Sequence, residues 1–180
     1  SLTGGGCTPP EVSALAGGVV WLTNLAAVNE GRLSFLADGT NSLVDLRALQ
    51  HSAATQYPVA FEARNGGTIW IPQLPGGPTV QVALKSGGIL PVAQMQRLGG
   101  ITVSGMNVPF PVLTNLDAGF LSVSNAGAVS APNLRTYAGS LICGAQPWTI
   151  TGSNSVADLS NLQQLTGSAC DALQLRALAG

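Results

Sequence analysis

Between Gly100 and Gly139 the apolar positions fall into two nearly identical series. Ile101 and Val103 recur twenty positions on as Leu121 and Val123. Val108, Pro111, Leu113 and Leu116 recur twenty-one positions on as Val129, Pro132, Leu134 and Tyr137. A period this short is the mark of a solenoid, in which each unit buries its apolar face only against its neighbours.

An L-x-x-L marker extends the pattern along the chain. It occurs at Leu22/Leu25, Leu46/Leu49, Met95/Leu98, Leu113/Leu116, Leu134/Tyr137 and Leu162/Leu165, and Leu74 stands alone at the same phase. Partial copies flank the series at Val12/Leu15 and Leu175/Leu178. After a marker come a polar break and an alternating apolar stretch, such as Leu33-Ser34-Phe35, Val59-Ala60-Phe61 or Ile101-Thr102-Val103. Alternation with β-branched residues predicts half-buried strands. A glycine turn and a second short strand follow, as at Thr68 to Ile71 and Ala128 to Ser130. Gly or Pro interrupts almost every stretch long enough for a helix, and both are poor in helix interiors. The prediction is an all-β fold: a right-handed parallel β-helix of about seven coils, each of about 21 to 23 residues. Regular coils should run from about residue 15 to 167 within one domain or array segment spanning 1–180. A β-sandwich or barrel is the alternative. Two excesses over the period, His51 to Pro58 and Ala145 to Val156, read as loop insertions, and Pro75-Gly76-Gly77-Pro78 reads as a sharp corner. Leu113, Leu134 and Leu162 should stack as one core ladder.

Composition narrows the function classes. Only 8% of residues are charged while 46% are hydrophobic, the opposite of a disordered chain. A formal net charge of -1, with no basic stripe, gives no reason to expect nucleic acid as a partner. No apolar run is long enough for a membrane-spanning helix, so no membrane insertion is expected. The chain opens with neither the charged nor the apolar region of a signal peptide, as expected for numbering that starts at a mature end.

The pattern P-x-L-x-x-L-x-x-G-x-L-x-V, seen from Pro111 to Val123, resembles the leucine-rich β-helix repeats of large bacterial surface and secreted proteins. It is more distantly similar to receptor L domains. The resemblance covers roughly Leu15 to Gly167 and implies an extracellular or cell-surface, passive role. It brings no catalytic residues and no cofactor.

Candidate chemistry is sparse. Glycoside hydrolysis needs two carboxyl groups facing each other, yet Asp45, Asp117 and Asp158 lie beside the leucine markers, where turn roles are usual. Arg47, Arg97, Arg135 and Arg176 also sit near the markers and suggest one edge, without carboxylates in register. His51, the single histidine, falls in an expected insertion beside Tyr57 and reads as a polar loop residue. No metal or catalytic triad pattern emerges. Gly4-Gly5-Gly6-Cys7 lacks the large aliphatic residue of a lipid-attachment site. Trp21, Trp70 and Trp148 are candidate sugar-stacking platforms, Trp70 foremost, because it alternates with Ile69 and Ile71 and so should face outward. Thr-x-Ser and Thr-x-Thr fragments at Thr102 and Thr149 are too few for an ice-binding rank.

The ends carry their own signals. Cys7-(x)4-Val12-x-Ala14-Leu15-Ala16-Gly17 echoes Cys170-(x)4-Leu175-x-Ala177-Leu178-Ala179-Gly180, so the terminal coils are expected to self-associate. Cys143 and Cys170 fall one coil apart in nearly the same phase, close enough for a disulfide, although a one-residue offset would turn the two side chains to opposite faces. Cys7 would remain for an intermolecular bond. Altogether the sequence points to a non-catalytic structural or adhesive solenoid, with a carbohydrate-binding or carbohydrate-active β-helix as the alternative.

Overall fold

The computed structural model describes residues 1–3, 10–29, 31–54, 56–140, 147–167 and 174–178. Every element is a strand and every pairing between strands is parallel. The first face is one eight-stranded sheet: β1 (Glu11–Leu15), β4 (Leu33–Asp38), β7 (Val59–Arg64), β9 (Val80–Lys85), β10 (Gly100–Ser104), β12 (Phe120–Ser124), β15 (Trp148–Thr151) and β18 (Leu175–Leu178). The second face holds β2 (Val19–Trp21), β5 (Leu43–Asp45) and β8 (Thr68–Trp70), then β11 (Asn107–Pro109), β13 (Ala128–Ser130) and β16 (Val156–Asp158). The third face pairs β3 (Ala27–Val28) with β6 (His51–Ser52) and β14 (Thr136–Ala138) with β17 (Gln164–Thr166). The strands stack as a β-solenoid of about six turns.

Stacking in register sorts the core into columns. On the first face Phe35, Phe61, Val82, Ile101, Leu121 and Trp148 follow one another inward, one per strand, all buried. The Phe35 and Phe61 rings lie stacked, centroids 5.1 Å apart and planes inclined by 7°. That offset of one strand spacing is the separation stacked rings favour. At the other end Tyr137 meets Trp148 edge to face at 4.6 Å. The Tyr137 hydroxyl and the Trp148 indole N–H both donate to the Gly119 carbonyl at 3.1 Å, so both rings are buried without an orphaned polar atom. Trp148 is therefore a core residue and not an exposed platform.

The corner between second and third faces is the most regular part. There an amide repeatedly bonds the carbonyl three residues back: Leu25 to Leu22, Leu49 to Leu46, Leu74 to Ile71, Met95 to Val92, Leu113 to Phe110, Leu134 to Ala131 and Leu162 to Leu159. Leu74 is thus the second member of its pair, partnered by Ile71, and the marker phase shifts by three residues relative to Leu22 and Leu46. Leu113 and Leu134 are fully buried, while Leu162, near the end of the stack, is half-buried. From second-face to third-face core position the chain takes eight residues at Val20 to Val28, Val44 to Ser52, Val129 to Tyr137 and Ala157 to Leu165. Length varies at the return to the first face. Ser52 to Phe61 takes nine residues and Tyr137 to Trp148 eleven, whereas Val28 to Phe35 takes seven. The insertions therefore begin later than the first expected excess and end earlier than the second. His51 belongs to regular strand β6, and Trp148–Thr151 is regular strand β15.

At the first corner two glycines stand where the preceding coil leaves no space for a side chain. A Cβ on Gly67 would overlap the Ala37 carbonyl, and one on Gly88 the Ala63 carbonyl, each in the coil before. Serine stitches neighbouring coils here. Ser42 Oγ accepts from the Gly17 amide at 2.9 Å and donates to the Asp38 carbonyl at 2.7 Å. Ser155 repeats the arrangement with Ala126 and Thr151. The expected Cys143–Cys170 bridge, and Cys7, lie outside the described residues.

Leu134 has core neighbours in the coils before and after it, so truncation leaves a cavity the rigid stack cannot close. Leu134→Ala is expected to lower unfolding free energy by about 2–5 kcal/mol, whereas Leu162→Ala should cost clearly less. Chemical denaturation of the two variants checks this ranking; equal losses would contradict it.

Candidate functional site

The second face carries the most distinctive surface. Val20, Val44 and Ile69 stack inward, so the residues after them stack outward: Trp21 beside Asp45 beside Trp70. Trp21 is 62% exposed and Trp70 43%, while Asp45 between them is only 1% exposed. An outward-pointing carboxylate is shielded here because a bulky ring stands on each side, one strand spacing away. Arg47, two residues on in the corner, closes over it. Its Nε lies 3.0 Å from both carboxylate oxygens, its Nη2 bonds Oδ2, and its amide donates to Oδ1 at 3.0 Å. The Arg47 guanidinium, followed by desolvation acting against it, sets the Asp45 carboxyl below the ordinary carboxylate range. The Arg47 side chain stays half exposed. Beyond the corner, Gln50 Nε2 donates to Gln73 Oε1 at 2.7 Å.

A second polar cluster lies outward on the first face. Arg64 bridges Asp38 and Glu62, and Lys85 also bonds Glu62 at 3.1 Å. The Asn65 amide, then Arg64, hold the Asp38 carboxyl below its usual range. All members are partly exposed, so each pair contributes little to stability. Farther along the same face, Thr102, Ser122 and Thr149 stack in register beside Ser104, Ser124 and Thr151. That hydroxyl rank covers three strands. Before it the same columns hold Ala83 and Lys85.

The candidate residues are otherwise dispersed. Asp45 and Asp158 lie on the second face. Asp117 sits at the end of the third, where it accepts from the Ala138 amide at 2.7 Å. Asp158 Oδ1 accepts from the Ser160 amide at 3.1 Å, as Asp45 does from Arg47. These are turn roles. The four arginines do not share an edge. Arg47 stands at the second corner, Arg97 bridges Gly76 and Asn115 on the third face, Arg135 accepts Gln163 there, and Arg176 lies in β18. Arg47 also has a carboxylate neighbour within its own coil. His51 is exposed on β6. Among the described residues no group of three or more His, Cys, Asp or Glu is gathered as metal ligands. None of them forms a helix, hence none a helix long and apolar enough to cross a membrane.

Comparison with known protein families, curated proteins and solved structures finds no match. The sequence comparisons therefore lend no support to the resemblance to leucine-rich repeats, and what stands is the parallel β-solenoid.

The Asp45–Arg47 pair gives a pH dependence. A carboxyl whose folded pKa is depressed contributes stability above its unfolded pKa and loses it as pH falls through the lower folded value. Stability should therefore decline below the ordinary aspartate pKa of 3.8. Asp45→Asn, already lacking the charge, should be less stable at neutral pH and flatter across that acid range. Denaturant midpoints from pH 2 to 7 test this; parallel profiles for both proteins would refute it.

Proposed function

We propose that this chain is a non-catalytic structural module of an extracellular or cell-surface protein, which associates end to end through its terminal strands. The observation that carries the reading is the match between its two open edges. Trp148 and Gly152 amides donate to the Gln174 and Leu178 carbonyls, so the backbone groups of Leu175 and Ala177 point away from β15. At the opposite edge, the Pro10 carbonyl accepts from Ser34 and the Ala16 amide donates to Asp38, so Glu11, Ser13 and Leu15 point away from β4.

These two sets of free groups fit one register. Placing Val12 on Leu175 sets the outward groups of Glu11 and Ser13 against those of Leu175 and Ala177, in the alternation used throughout the sheet. The same register puts Ala14 on Ala177 and Leu15 on Leu178, and Val12 and Leu175 already occupy one core column. Arg176 then lies beside Ser13, diagonal to Glu11, with opposite charges on one face. A one-residue slip would invert every side chain. Leu175, more than half exposed at the end of the core column, is an apolar surface that association would bury, and Leu15 and Leu178 would meet side by side on the outer face. Low charge along the coils supports a passive role. Against carbohydrate cleavage, Asp38 and Glu62 are both tied to Arg64.

Ala177→Pro removes an amide that faces away from β15 and leaves the bonds to β15 intact. In sedimentation velocity the native chain should form larger species as concentration rises, and the variant should stay monomeric with an unchanged melting profile. A native chain that remains monomeric at millimolar concentration, or a variant that associates equally well, would contradict the reading.

A further inference from the structure

We propose that Trp21 and Trp70, with the Asp45–Arg47 pair between them, form a binding site for a neutral, extended β-linked glycan lying along the solenoid axis. The two tryptophans occupy one outward column two strand spacings apart, about 9.5 Å. In an extended β-linked hexose chain successive rings alternate in orientation, so every second ring presents the same face, at a comparable repeat. Two indoles on this spacing can each take one such ring. The weakly positive C–H face of a pyranose lies against the negative face of an indole, the electrostatic match that aromatic surfaces offer.

The middle strand supplies what the intervening ring needs. Asp45 stands between the two indoles, and its partner Arg47 supplies the exposed polar group there. Asp45 occupies the Nε and Nη2 sides of Arg47, fixing the guanidinium in place while the side chain stays half exposed. A guanidinium held this way donates to hydroxyl oxygens with little ordering cost. Thr23 and Asn24 follow Trp21 around the corner, and Gln73 occupies the place after Trp70 that Asn24 holds after Trp21. The carboxylate and guanidinium cancel, so the site offers no net charge to an acidic or basic polymer. Exposed aromatic rings flanking a charge-balanced hydrogen-bonding pair fit a hydroxyl-rich chain better than an apolar protein segment, which would cover the remaining Arg47 donors without offering them acceptors.

The test uses the monomeric Ala177→Pro chain, so that it does not depend on end-to-end association. Cellohexaose, titrated by calorimetry and tryptophan fluorescence, should bind. Trp21→Ala and Trp70→Ala should each weaken binding about tenfold or more, and the double variant should abolish it. Both rings lie outside the core columns, so the variants should remain folded at the assay temperature, which their melting profiles check. Maltohexaose, whose α-linkages curl the chain away from the two-ring repeat, should bind at least tenfold more weakly. No cellohexaose binding, binding unchanged in the double variant, or equal affinity for maltohexaose would each overturn the proposal. So would a finding that the tryptophan variants alter only self-association of the native chain.

Discussion

One constraint governs this protein: parallel strands stacked in register place every residue directly over its counterpart in the next coil, one strand spacing away. Each position is chosen for its fit to two neighbours of the same phase. A column of inward positions becomes a continuous core, as from Phe35 to Trp148. A column of outward positions becomes a surface of repeated chemistry, with the tryptophans on the second face and the hydroxyls on the first. The same closeness accounts for Gly67 and Gly88, since it leaves no space for a Cβ above Ala37 or Ala63, whereas the equivalent place one coil before Gly67 admits Ser42.

The rule also explains where variation is tolerated. From second face to third the chain takes eight residues in coil after coil, because the corner turn and its buried leucine must land in register on both sides. The return to the first face has no such requirement, and it absorbs the differences in coil length. Trp148 follows the longest return between fully described core positions and reaches the Gly119 carbonyl of the coil before.

Much of this was legible in the sequence. The near-duplicate at Gly100 to Gly139 established the period, and the scarcity of uninterrupted helical stretches established the strand content. The phase of the first coils was harder to read. Leu74 has apolar residues at several offsets, and only the corner hydrogen bond distinguishes Ile71 as its partner. With that phase corrected, Trp21-Leu22, Asp45-Leu46 and Trp70-Ile71 align, and the outward column becomes visible in the sequence too. Aligned instead on Leu22, Leu46 and Leu74, the same residues look unrelated. Trp148 is hard to place from sequence for a related reason: it falls after a long irregular stretch, and nothing local separates a tryptophan in an insertion from one that ends it. The Arg47–Asp45 pairing depends on a corner that folds the chain back within two residues, which sequence spacing alone does not convey.

The stacked register itself is most directly measured by distances along one outward column. Ser13, Thr102 and Thr149 lie in the same column of the first face, with Thr102 four and Thr149 six strand steps from Ser13. Spin labels at Ser13 paired with each of the other two can be placed in a chain whose native cysteines are replaced by serine. After dilution with unlabelled protein, pulsed dipolar spectroscopy should give separations of about 19 and 29 Å, rising in proportion to the number of steps. Separations that fail to grow from the first pair to the second, as in a sandwich or barrel, would contradict the account.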